Sequence, residues 1–226
     1  MINLFVYGIV LATVMMVTSL LAEKLEGNKV LPDINAPGKV IGSCMILSLA
    51  PGFYCLVKEE PLINTLLLAI CMGSELTAAF MDDRYKEVYD FLHILPVISV
   101  IILYVINRER FTPAILIAMV IISVLLFILS FTVGLSDVAI MFIMCLQYGF
   151  IFYPGIAKES AVDMNIWRYL LYGLSGILLS YIVFFFIQLT RGNVNKRGNC
   201  KEKAAFIPSI YIAFCLSYIA GFTLPG

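Results

Sequence analysis

Charged residues fall in short clusters along this chain and leave eight apolar runs between them, at about 2–22, 40–57, 61–81, 91–107, 114–134, 137–155, 166–189 and 207–225. The runs are continuous and do not alternate with a period of two, so the pattern favours helices over strands. Roughly 20 apolar residues carry a helix across a hydrocarbon core about 30 Å thick. Only helices and closed barrels satisfy their backbone groups there. The pattern therefore predicts an all-α, polytopic membrane helix bundle of about eight transmembrane helices, folded as a single domain over 1–226. Pro51-Gly52 interrupts the second run, and the fourth is short. The first run carries no basic residues before it and exceeds the apolar core of a typical cleavable signal, so it is expected to stay as a span.

Composition agrees with a bilayer as the solvent. The chain is 62% hydrophobic and 13% charged, and its mean hydropathy is +0.98, beyond what a water-soluble domain carries. Its 15 basic residues balance 15 acidic ones, which leaves no surplus for neutralising phosphates, so the expected partner is lipid and not nucleic acid. Cys44, Cys55, Cys71, Cys145, Cys200 and Cys215 are scattered, without C-x-x-C pairs or a histidine at ligand spacing. They read as small apolar side chains, and neither a metal nor another cofactor is expected.

Charge also sets an orientation. With eight spans, the odd-numbered loops hold ten of the 15 basic residues, five of them in the last loop, which includes the basic part of "TRGNVNKRGNCKEK" (190–203). Basic excess marks the cytoplasmic side, so those loops are expected in the cytosol and both termini outside, in a multi-pass protein of the cell membrane. Trp167, Tyr104 and Tyr153 lie near span ends, the usual place of interfacial anchors.

Acidic residues inside or at the mouth of a span are costly and tend to face a bundle interior or a watery cavity. Asp137 opens the sixth run after "VGLS"; Asp82 follows the third in "AAFMDDRYKEVYDF"; Glu75 lies seven residues before Asp82. The orientation puts Asp82 and Asp137 at one membrane edge. Two carboxylates that meet share a proton, and such a pair splits a peptide bond without nucleophile or cofactor: the ionised acid deprotonates a water while the protonated one binds the carbonyl oxygen. Helix capping is the competing role for an aspartate at a span end such as Asp137.

Two stretches together resemble a known family. "DDRYKEVYD" (82–90) is similar to the D-x-R-x-x-x-I-P-N stretch of type IV prepilin peptidases, and "GLSD" (134–137) to their G-x-G-D. The resemblance runs over roughly residues 70–215, with a further echo in "KAAFIPSIYIAF" (203–214). It implies Asp82 and Asp137 as the catalytic aspartates, Arg84 as the accompanying basic residue, and a prepilin-like membrane protein with a short basic leader as the substrate, cut at the cytosolic face. Val88-Tyr89-Asp90 stands in place of I-P-N and Ser136 in place of the second glycine; the paired C-x-x-C domain of longer members is missing, and with it their zinc site. Presenilin-like proteases share the G-x-G-D idea, which would pair Tyr89-Asp90 with Asp137. Asp83 is a neighbouring alternative to Asp82.

The expected function is thus an aspartic endopeptidase, against a small proton- or cation-coupled transporter using the same acids, or an inert assembly subunit. Glu75 reads as a third cavity acid or a hydrogen-bonded packing residue, and His93 as an interfacial side chain. Gly73, Ser74, Gly173 and Gly176 read as close helix contacts, and the aromatic run 181–186 as lipid-facing or filler.

Overall fold

The computed structural model describes residues 2–26, 38–108, 113–129, 134–151, 162–192 and 204–223, and these are helix and connecting turn with no strand among them. The elements are α1 (Ile2–Glu26), α2 (Lys39–Leu47), α3 (Ala50–Val57), α4 (Leu62–Tyr85), α5 (Phe91–Ile106), α6 (Pro113–Leu129), α7 (Leu135–Ile151), α8 (Val162–Thr190) and α9 (Ile207–Thr223). Each apolar run of the sequence contains a helix, except the second, which contains two. Four stretches are long and apolar enough to cross a membrane: Ile2–Leu25, Val40–Val57 across α2 and α3, Leu62–Tyr85, and Gly173–Thr190. Helices α5, α6, α7 and α9 have 16 or 17 residues. At 1.5 Å per residue they reach about 25 Å, a little less than a full hydrocarbon core.

The bundle is built around α4, which is the least apolar of the four long stretches and the most buried. It carries Asn64, Thr65, Ser74, Glu75, Thr77 and Asp82, all buried, and packs on α1, α5 and α9. The outward faces are the apolar ones: Phe5 and Val17 on α1, Ile101 and Val105 on α5, Val120 and Phe127 on α6, and Leu178 and Phe186 on α8 are exposed. Polar side chains inside and aliphatic ones outside is the arrangement expected where the surroundings are lipid tails, since a lone polar group has no partner there.

Small and hydroxylated residues hold α1 to α4. Thr18 and Thr77 share a 2.7 Å hydrogen bond, and Thr77 also reaches the Gly73 carbonyl. A Cβ on Gly73 would lie 2.9 Å from the Leu11 carbonyl oxygen and 3.0 Å from the Val14 Cβ, so glycine there lets two backbones approach closely. Gly173, in α8, faces the end of the Ile122 side chain of α6.

Two prolines set local breaks. Pro51 stands in the first turn of α3, where its missing N–H is harmless, and the turn at Ser48 and Leu49 divides the second run into α2 and α3. The Tyr7 hydroxyl donates to the Ser48 carbonyl at 2.8 Å, replacing a partner that the break removed. Pro96 lies inside α5 and cannot donate to the carbonyl four residues earlier. That carbonyl belongs to Leu92, and the buried Ser74 hydroxyl of α4 donates to it at 2.7 Å. Ser74→Ala should therefore orphan a buried carbonyl and lower stability by about 1–2 kcal/mol. In a Pro96→Ala background, where the helix N–H is restored, the same change should cost clearly less; thermal unfolding of the four proteins in detergent checks it.

Candidate active site

Asp82 sits one turn before the end of α4. The helix stops where Lys86 turns left-handed (φ 60°, ψ 24°) and its N–H closes on the Asp82 carbonyl. The chain then turns back into α5. The Asp82 side chain is 8% exposed, and its Oδ2 accepts the Ile207 N–H at 2.8 Å. Ile207 begins α9, so this N–H is one of the unsatisfied donors of a helix start. Pro208, the next residue, has no N–H to offer. The carboxylate of α4 thus caps α9 across 125 residues of sequence, with its charge at the positive end of the helix dipole. The segment that receives Asp82 is the proline-containing stretch 203–214 that the sequence singles out.

Asp83 turns the other way. It pairs with Arg191, just past α8, at 2.7 Å, with both side chains partly exposed. Arg84 is exposed and lies over the Tyr85 ring, 5.5 Å from its centroid. Asp90 is exposed at the start of α5. Of the three acids that compete for the first position, Asp82 alone is buried in the bundle.

Asp137 is the third residue of α7 and half-buried. Its carboxylate folds back over the helix start, so that a Cβ on Gly134 would lie 3.1 Å from Oδ2. The first hydrogen bond of the helix runs from Val138 N–H to the Gly134 carbonyl. Asp137 also lies within electrostatic reach of Tyr181 of α8. The Tyr181 ring stands 5.0 Å from that of Phe206, the residue before Ile207. Contacts therefore run from Asp82 through Ile207 and Phe206 to Tyr181 of α8. Both acids belong to the end of the bundle where α4 finishes and where α5, α7 and α9 begin.

The residue before Asp137 adds a link that the sequence did not disclose. Ser136 Oγ and His93 Nε2 are 2.8 Å apart, joining the first turn of α7 to the first turn of α5. His93 is buried, so the interfacial side chain expected from the sequence is an internal one. Tyr104, expected as an anchor, likewise turns its hydroxyl inward, to the Leu146 carbonyl at 3.0 Å. Tyr153, Cys200 and most of the basic stretch 190–203 lie outside the described residues, as does the side chain of Trp167.

Deeper in the bundle, Glu75 is 1% exposed. Its Oε1 accepts a weak hydrogen bond from the Cys71 thiol at 3.6 Å, while Oε2 has no hydrogen-bond partner among the described residues. Gln147 of α7 donates to the same sulfur and accepts from the Tyr218 hydroxyl of α9 at 3.3 Å. The chain of groups ties α4, α7 and α9 together two helical turns below Asp82. Cys44, Cys55, Cys145 and Cys215, like Cys71, are buried thiols, as expected of small apolar side chains. A cavity of about 170 Å³ is lined by Met81, near the end of α4, and by Glu87, Val88 and Tyr89 of the turn that follows it.

No family model, curated protein or solved structure matches this chain.

Proposed function

We propose that the chain is an intramembrane aspartic endopeptidase, similar to the type IV prepilin peptidases, that removes the short basic leader of a prepilin-like precursor. It spans the cell membrane eight times, with α2 and α3 forming one span, both termini outside, and the reaction at the cytosolic edge. The observation that carries the reading is the placement of the two acids. Asp82 is buried at the end of the most buried helix, and Asp137 opens α7 at that same end of the bundle.

In this reaction Asp82 and Asp137 close on one water. The ionised acid takes the proton of the water as it attacks the scissile carbonyl, and the protonated acid hydrogen-bonds the carbonyl oxygen as charge grows there. A helical substrate hides its carbonyl in the i to i−4 ladder, so it must unwind at the cut before it binds. The exposed apolar faces of α5 and α6 give its apolar stem a surface to approach within the bilayer. The test is a mass spectrum of a prepilin-like precursor made with and without this chain: the leader should be lost only when the chain is present.

A second reading rests on Glu75, whose unpartnered, buried Oε2 suits a site that takes up a cation or proton in a coupled transporter. It predicts ion flux into liposomes that Glu75→Gln removes, with precursors left uncut.

A further inference from the structure

Position 136 carries glycine in the G-x-G-D pattern that this chain resembles, and here it carries a serine whose hydroxyl is engaged. The partner, His93, sits on a fixed platform. It lies next to Leu92, whose carbonyl is held by Ser74 at 2.7 Å, and three residues before Pro96, which stiffens the same turn. The ring is buried, its Nδ1 has no hydrogen-bond partner among the described residues, and its Nε2 bonds Ser136. The two side chains therefore hold each other, and each loses its polar contact if the other is removed. Asp137 is the next residue along, in the first turn of α7, which the Val138 to Gly134 backbone bond also closes. Where the pattern uses a bare glycine to shape the backbone before the acid, this chain clamps that backbone to α5.

We infer that His93 is a positioning residue for Asp137, acting through the Ser136 hydroxyl. The inference rests on the peptidase reading above. Reacting groups must be held within about 1 Å of their working geometry, and a displacement of that size costs up to about 100-fold in rate. An imidazole–hydroxyl clamp one residue from the acid supplies such a restraint without touching substrate.

The experiment follows leader cleavage by the purified full chain in proteoliposomes, with kcat and KM measured separately. His93→Leu should lower kcat by about 10- to 100-fold and leave KM unchanged. His93→Gln, whose side-chain amide reaches the same hydroxyl, should recover most of the rate. Ser136→Gly should remove the need for the clamp, so that adding His93→Leu to it changes kcat no further. Ser136→Ala, which deletes one oxygen, should show the kcat loss even where His93→Leu folds poorly. A wild-type kcat in Ser136→Ala, or an equal loss from His93→Leu in the wild-type and Ser136→Gly backgrounds, overturns the inference. If Asp137→Asn is inactive while the His93 and Ser136 variants cleave normally, the clamp is refuted and the peptidase reading stands. Cleavage that persists in Asp137→Asn refutes both.

Discussion

Asp137→Asn and Asp82→Asn should each abolish leader removal from a co-expressed precursor, by about 10²- to 10⁴-fold, while the chain still accumulates in the membrane. Asparagine keeps the shape of the side chain and removes its ability to exchange a proton, and losing a positioned acid or base costs about that much. The two variants should nevertheless differ in stability. Asp82 accepts the Ile207 amide at the start of α9, and a neutral amide keeps an acceptor oxygen but gives up the charge–dipole part of the cap, worth about 1 kcal/mol. Asp137 folds over its own helix start and should lose less. Asp83→Asn breaks only the partly exposed pair with Arg191 and should leave cleavage intact at a cost below about 1 kcal/mol. The contrast between adjacent aspartates separates a buried acid from a solvated one.

Gly73→Val should be the most damaging single change outside the acids, lowering stability by about 3 kcal/mol or preventing assembly of α1 on α4. The new Cβ would press on the Leu11 carbonyl oxygen at 2.9 Å and the Val14 Cβ at 3.0 Å. Neither can rotate away, because one is backbone and the other is fixed to it, so the helices must separate. Separation also stretches the Thr18–Thr77 bond. Gly173→Ala is the control: its Cβ meets the tip of the Ile122 side chain, which has other rotamers to adopt, and the cost should stay below about 1 kcal/mol. Unfolding midpoints in detergent read both.

Much of the helical architecture was legible in the sequence because helix formation in an apolar run is a local matter. Runs of 16 or more apolar residues became helices wherever the residues are described. The second run divided at Ser48 and Leu49, where Pro51 offered the visible signal. Helix α4 ran on to Tyr85, past the charged residues Asp82, Asp83 and Arg84, because Asp82 finds a buried partner in the Ile207 N–H while Asp83 and Arg84 reach the surface. The length of the crossing elements was less legible: from residue 91 onward the apolar runs, apart from the one that forms α8, gave helices near the lower limit for a span. The acids were legible as types and positions, but their partners were not. Ile207 is 125 residues from Asp82, and Ser136 is 43 from His93. No periodicity encodes a hydrogen bond between distant segments. The single histidine and the serine in place of glycine were both noticeable in the sequence, yet only folding brings them to 2.8 Å.

The proposed reaction requires Asp82 and Asp137 to grip one water, and a cysteine placed at each of the two positions, in a chain whose native cysteines are replaced by alanine, measures their approach directly. In membranes a short bifunctional thiol reagent should join residues 82 and 137 within one folded chain, and an added prepilin-like precursor should slow the joining by occupying the site. Failure to join them in a chain that still folds, with or without precursor, would contradict the account.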